Sequence, residues 1–455
     1  MHNQYCASSK KSKNTDWGVA GGIPVSLVFE SRADLGPGTT GLAAASVPAA
    51  SVPAEVEYHF LLGRYVDAAI LARASALAAQ WGVHPHEVLI ANGWLSAEDY
   101  YRALAETCGT DFTTFEPAET ALPAKASPRH CLANGILKER ARASRFVYAA
   151  NHLRPNALRA MLARLAPCEL ALATPQAVRE GIYHHFAPAL VRGAVETLAA
   201  RRPDFSARSR TAPWQRCFLI AGSAGVGGAL LLAPIATIHA VTLLLAVLFL
   251  PAIALRVLGV YELMRKDVET SPSRVPRTSD AFLPTYTILA PLFREAHMLP
   301  PLVRALTQLD WPAAKLDIKL VLEAVDTETV AAARALTLPG NVEIVVVPDR
   351  APRTKPKALN YALPLARGEY LVIYDAEDRP EPDQLRRAYA AFAERPPNLA
   401  TVQARLNIYN PDAGWLARQF TLEYSALFDG LLPVLDRLKL PIPLGGTSNH
   451  FRGIA

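Results

Sequence analysis

With 455 residues the chain has room for two or three domains, and 51% hydrophobic content is high for a protein wholly in water, so membrane segments are sought first. The formal charge of +6 raises nucleic acid as a partner, but Lys and Arg are spread along the chain without a run interleaved with aromatics, which argues against it. Five cysteines (Cys6, Cys108, Cys131, Cys168, Cys217) form no close pairs, so neither a zinc knuckle nor a disulfide framework is indicated and a reducing compartment fits best.

Residues 1–55 are rich in Ser, Gly, Ala and Pro with little periodicity, the composition of a tail that buries too little apolar surface to order itself. The first ten residues carry no apolar core after a basic start, and Val25–Phe29 is too short, so no secretory signal peptide is expected. From about Glu57 the pattern becomes helical. Ile70, Leu71, Ala74, Leu77 and Ala78 share a face, Val88-Leu-Ile90 precedes the turn Asn92-Gly93, and Ser96-Ala-Glu-Asp99 has the form of a capped helix start. Further on, Phe146–Ala149 and Glu169–Ala173 are strand candidates around a helix at Pro155–Leu165. Residues 56–200 thus predict a small α/β regulatory or docking module.

Arg216 to Tyr261 is the most apolar region and holds no acidic residue before its end. About 20 helical residues at 1.5 Å rise cross a hydrocarbon core of roughly 30 Å, so Cys217–Ile235 and Ile238–Leu258 predict a two-helix transmembrane hairpin within 217–260. Arg201, Arg202, Arg208, Arg210 and Arg216 precede it, and Arg256, Arg265, Lys266, Arg274 and Arg277 follow it. Positive charge at both outer ends places both on the cytoplasmic side of the inner membrane, in a multi-pass arrangement.

After a linker at 268–283, apolar β-rich runs (Tyr286–Pro291, Ile318–Glu323, Val342–Val347, Tyr370–Asp375) alternate with helical patterns at Ala296–Leu309, Asp326–Leu336 and Lys357–Leu365. Such alternation predicts a mostly parallel sheet with ligands gathered at the carboxyl ends of its strands. Asp375, Glu377 and Asp378 follow the last of these strands immediately. Clustered carboxylates repel one another unless solvated or bridged by a cation, and a diphosphate leaving group needs such a cation. An acidic loop alone is as readily a solvated turn; its place between a buried strand and the helix starter Pro380-Glu-Pro-Asp383 favours a ligand site. Earlier in the chain, Arg353, Lys355 and Lys357 cluster at a predicted helix N-terminus, where backbone N–H groups also favour anions.

Five motifs in order, Ala290–Glu295, Leu322–Thr327, Thr354–Asn360, Tyr374–Pro380 and Leu444–Arg452, resemble family 2 glycosyltransferases, and among them the bacterial cellulose-synthase-like proteins. The resemblance implies a GT-A domain at 284–455 and metal-assisted transfer of a sugar from a nucleotide-diphospho-sugar, UDP-linked above all, to a polysaccharide or other acceptor. It implies Mg2+ or Mn2+ at Asp375, Glu377 and Asp378, and nucleobase and ribose contacts at Glu323 and Asp326. It also implies basic diphosphate contacts at Lys355 and Lys357, with Asn360 on the helix that follows, and an acceptor-side loop at Gly446, Thr447 and Ser448. Val325 stands where relatives often carry Asp. Members of the family continue with a Thr-Glu-Asp motif, whose Asp is the general base, a Gln-x-x-Arg-Trp motif and more membrane spans. The sequence stops at Ala455 before these, so the domain is expected to be incomplete, with a donor-binding remnant as the rival reading.

Glu87–Ala105, with Gly109 and Phe112, resembles the N-terminal domain of type II secretion and pilus-assembly ATPases, some of which bind cyclic di-GMP. The Arg-Leu-Gly start of the nucleotide-binding version is reduced to Leu62-Gly63-Arg64, which favours a packed adaptor with a protein partner over a nucleotide sensor. No phosphate loop of the form Gly-x-x-x-x-Gly-Lys-Ser/Thr occurs, which counts against a secretion ATPase.

Overall fold

The structure is a computed structural model that describes residues 54–123, 131–132, 134–142, 144–151, 153–164, 170–206, 208, 211–265, 278–395 and 399–453. The predicted tail, but for its last two residues, and most of the predicted linker lie outside these residues. Two compact units emerge: residues 101–182 in one, and residues 53–100 with 183–455 in the other. The stretch 56–200, read from sequence as one module, is therefore divided between them.

In the larger unit, helix α1 (Ala68–Trp81) buries Leu71, Ala74 and Ala78 and stops at Gly82, whose φ of +66° is the left-handed conformation of a helix C-terminus. Helix α2 (Pro85–Ala91) opens on a proline, and the His84 amide donates to the Glu87 carboxylate at 2.8 Å. The predicted cap at Ser96 is present: its hydroxyl accepts the Asp99 amide at 3.0 Å and donates to the Asp99 carboxylate at 2.7 Å, starting helix α3 (Ala97–Cys108), most of which belongs to the smaller unit.

The smaller unit carries a five-stranded sheet of β1 (Asp111–Phe112), β2 (Thr120–Ala121), β3 (Ile136–Glu139), β4 (Phe146–Tyr148) and β5 (Leu170–Leu172), in the order β1-β5-β4-β3-β2. Helix α4 (Pro155–Leu162) stands between β4 and β5, as expected, with Leu158 buried. The first three strands escaped sequence reading because runs of two to four residues are too short to display alternation. Helix α5 (Pro175–Arg201) follows and passes from one unit into the other along the chain.

Among the described residues two helices are long and apolar enough to cross a membrane: α6 (Pro213–Leu232) and α7 (Pro234–Arg265). Their break falls at Ala233, not at the expected 236–237, because Pro234 lacks an amide hydrogen and fits the first turn of a helix. Helix α7 also runs seven residues beyond the expected end at Leu258. No more than 6% of either apolar window is buried.

The larger unit is built on a six-stranded sheet: β6 (Tyr286–Leu292), β7 (Leu316–Glu323), β8 (Val342–Val347), β9 (Tyr370–Ile373), β10 (Thr401–Gln403) and β11 (Asn449–Arg452), ordered β10-β11-β9-β6-β7-β8. The four predicted strands, β6 to β9, are parallel to one another. Strand β11 enters antiparallel between β9 and β10. Helices α8 (Leu299–Thr307), α9 (Thr327–Ala335), α10 (Lys355–Ala362) and α11 (Gln384–Glu394) alternate with these strands, and α12 (Trp415–Ser425), a π-helical stretch (Ala426–Leu431) and α13 (Leu432–Arg437) precede β11. All eight residues of β7 are buried, and its charged Asp317 and Lys319 are paired with each other inside the sheet. Helices α1 and α2 are part of this unit: Gln80 donates to Asp280 at 3.1 Å, and Gly340 lies against Ile90 so closely that an added Cβ would stand 2.6 Å from its Cγ2.

Candidate active site

The parallel strands end on one side of the sheet, and the loops that follow them enclose a cleft of about 280 Å³. Pro291, Leu292 and Val321 form its apolar wall, while Phe293, Glu295, Glu323, Arg353, Lys355, Asp375 and Glu377 bring polar and aromatic groups to it. Five of the residues singled out from sequence for ligand binding therefore converge here: Glu323, Arg353, Lys355, Asp375 and Glu377.

Glu323 closes β7. Its Oε2 accepts from the buried Lys357 ammonium at 2.7 Å, while its buried Oε1 has no hydrogen-bond partner among the described residues. Lys357 also donates to the Arg350 carbonyl at 3.1 Å. Lys355 and Lys357 lie two residues apart on α10, hence on opposite sides of the helix. Lys355 turns to the cleft, where its ammonium pairs with the Asp375 carboxylate and donates to the Gly446 carbonyl at 2.7 Å. Arg353 is held by a bidentate pair with Asp349, both contacts 2.8 Å, and this guanidinium keeps the Asp349 carboxyl below its ordinary range.

The acidic loop is more differentiated than its sequence. Asp375 and Glu377 line the cleft. Asp378 is occupied elsewhere: its Oδ2 accepts the Asp375 amide at 2.7 Å and the Thr447 hydroxyl. Burial pushes the Asp378 carboxyl above its ordinary range, against the opposing pull of those two hydrogen bonds. Of the three acids expected to hold a metal, Asp375 and Glu377 thus face the cleft, while Asp378 is bonded within its own turn. Among the described residues no three His, Cys, Asp or Glu side chains stand ready to hold a metal ion. Two carboxylates at an open cleft nevertheless fit a hard divalent cation whose remaining ligands are phosphate oxygens.

The other residues expected to make contacts are hydrogen-bonded within the protein. Asp326 caps α9 through the Thr329 amide at 3.2 Å and accepts the Arg294 amide at 2.5 Å. Burial alone would lift its pKa, but these hydrogen bonds hold it below the ordinary range. Asp326 therefore braces the Phe293–Glu295 loop instead of lining the cleft. Thr447 also accepts the Asp375 amide at 3.1 Å, so it shapes the acidic turn. Ser448 is buried at φ +54°, and its amide donates to the Ile373 carbonyl at 2.7 Å where β11 joins β9. Asn360 faces α5, donating to the Ala194 carbonyl at 3.4 Å, and Arg350 pairs with Glu196 on the same helix. Sequence reading had not singled out Phe293 and Glu295 as site residues, although their place directly after the end of β6 was the available signal.

Residues 287–454 match the model of glycosyl transferase family 2, and this stretch is a glycosyltransferase family 2 domain. Glucomannan 4-beta-mannosyltransferase 2 of Arabidopsis thaliana is 30% identical over 151 residues, which cover 31% of this chain and 28% of the plant protein. A mannosyltransferase from Pyrobaculum calidifontis, solved with GDP-Man and Mn2+, is 26% identical over 37% of this chain and 50% of its own, with a TM-score of 0.27. Glucosyl-3-phosphoglycerate synthase from Mycobacterium tuberculosis, solved with Mn2+, UDP and phosphoglyceric acid, is 17% identical over 37% of this chain and 56% of its own, with a TM-score of 0.25. The chain spans less than a third of the curated relative and about half of these solved chains.

Proposed function

We propose that this chain is a membrane-bound, metal-assisted glycosyltransferase of GT-A fold that moves a sugar from a nucleotide-diphospho-sugar to a polysaccharide or other acceptor. The observation that carries the reading is the meeting, in one cleft at the carboxyl ends of parallel strands, of an unpaired Glu323 oxygen, the Lys355 ammonium and the carboxylates of Asp375 and Glu377. Glu323 Oε1 suits a nucleobase or ribose donor group, since a buried acceptor without a partner costs stability until one arrives. Asp375 and Glu377 would hold Mg2+ or Mn2+, which when bound neutralises the charge that builds on a departing nucleoside diphosphate. Lys355 and Arg353 supply positive charge to the same cleft, and Asp378 and Thr447 keep the acidic turn in shape.

Helices α6 and α7 would anchor the enzyme as a hairpin in the inner membrane, with arginines on both flanks on the cytoplasmic side. Support from the N-terminal region for a cyclic di-GMP or protein partner rests on its sequence resemblance alone.

Calorimetric titration of UDP-glucose, UDP-N-acetylglucosamine and GDP-mannose, with and without Mn2+, tests the reading. Donor affinity should require the metal and be lost in the Asp375→Ala, Glu377→Ala double variant. Unchanged affinity and unchanged metal dependence in that variant would sink it. Binding without transfer to any supplied acceptor favours a donor-binding remnant.

A further inference from the structure

Resting on the donor-binding reading above, we infer that Glu196 of α5 is a positioning residue for the donor cleft. Through Arg350 it holds the loop between β8 and α10, against which Lys357 sets the carboxylate of Glu323. The chain of contacts starts in the cleft. Glu323 Oε1 is a buried acceptor without a partner among the described residues, and Oε2 is fixed by the Lys357 ammonium at 2.7 Å. Lys357 has a second acceptor, the Arg350 carbonyl at 3.1 Å. An ammonium shared between two acceptors keeps its place only while both keep theirs. The carboxylate ends a strand buried along its whole length, whereas Arg350 belongs to a loop in which residues 351–354 are all exposed. What holds that loop therefore sets this end of the cleft.

Two side-chain ties act on the loop. The bidentate pair of Asp349 with Arg353 joins the loop to itself and moves with it. The pair of Arg350 with Glu196 joins it to a regular helix, in the half of α5 that belongs to the larger unit. That half is itself seated on the domain. Tyr183 and Val191 are buried, and the Lys319 ammonium of β7 stands 6.0 Å from the centre of the Tyr183 ring. The Asn360 amide, on the same helix as Lys355 and Lys357, donates to the Ala194 carbonyl at 3.4 Å. Arg350 is thus the joint: its carbonyl serves Lys357 and its guanidinium serves Glu196.

Glu196 does not line the cleft and acts only through Arg350. The side chains of the pair are 39% and 45% exposed, so the pair adds little to the stability of the fold. Its loss should be felt in donor affinity, because a binding group that must be ordered anew on each encounter binds more weakly than one already in place.

Calorimetric titration of the full chain in detergent tests this, using whichever of UDP-glucose, UDP-N-acetylglucosamine and GDP-mannose the parent binds most tightly with Mn2+. Glu196→Ala should raise the donor Kd roughly threefold to fivefold, the range open to an exposed ion pair, while melting within a degree or two of the parent. Glu196→Arg should be worse, and Glu196→Arg with Arg350→Glu, which restores the pair with its charges exchanged, should return most of the affinity. An unchanged Kd in Glu196→Ala overturns the inference and leaves the donor reading standing. So does a loss of affinity that follows a fall in melting temperature, or one that the exchanged pair does not restore, since either marks a merely structural role. Failure of the parent to bind any of the three donors removes the donor reading and the inference with it.

Discussion

Lys357 lies behind Glu323: its ammonium is 2.7 Å from the carboxylate, and their side chains are only 2% and 7% exposed. The pair keeps one carboxylate oxygen pinned while the other stays unpaired beside the cleft. Replacing only one member leaves a buried charge without its partner, which costs about 3–5 kcal/mol. Lys357→Met should therefore lower the denaturation midpoint strongly, and Lys357→Met with Glu323→Gln should recover part of the loss. Chemical denaturation of both variants checks the difference; equal losses would show that the pair is not coupled.

Lys355 behaves differently because a third of its side chain is exposed. A partly exposed pair contributes about 0–1 kcal/mol to stability, so Lys355→Ala should unfold within a degree or two of the parent. Donor affinity, by contrast, should fall at least tenfold, on the order of 1.4 kcal/mol, if Lys355 exchanges Asp375 for the diphosphate. Parallel melting curves and donor titrations separate the two effects.

Acid should weaken the fold through Asp317. Burial alone would raise its pKa, but Arg367 at 2.7 Å and Lys319 at 3.2 Å overrule burial and hold the carboxyl well below its ordinary range. A carboxyl depressed on folding contributes stability that is complete above about pH 4 and is lost as pH falls toward its folded value. Asp317→Asn should cost about 3–5 kcal/mol at pH 7 and flatten the stability profile below pH 4. Guanidinium unfolding at pH 7, 5 and 3 measures both.

His450 acts in a higher window. Burial pushes its pKa down to about 3, and its Nδ1 shares a 2.7 Å hydrogen bond with the Tyr286 hydroxyl. The unfolded chain takes up this proton near pH 6.5 and the folded chain does not, so stability is complete above that value and declines as pH falls from 6.5 toward 3. The loss is at most about 5 kcal/mol at 1.36 kcal/mol per pH unit. His450→Asn should remove the slope between pH 6.5 and 4 while leaving the Asp317 limb in place.

Much of this molecule was legible locally. Apolar β-rich runs marked β6 to β9, the Ser96-Ala-Glu-Asp99 pattern marked the start of α3, and two long acid-poor stretches marked α6 and α7. The cleft followed from the rule that polar residues after parallel strands share one edge, and Glu323, Lys355, Asp375 and Glu377 obey it.

Contacts between distant residues were not legible. Strand β11 enters the sheet beside β9 from more than seventy residues away, and Thr447 arrives with it to claim Asp378. Asp326 accepts the Arg294 amide, a bond set by how two loops meet. Periodicity along a chain reports which face of an element is apolar, and so determines its type and extent. Which partner fills that face, and which of several neighbouring acids or lysines is left free, is decided by packing between segments far apart in sequence.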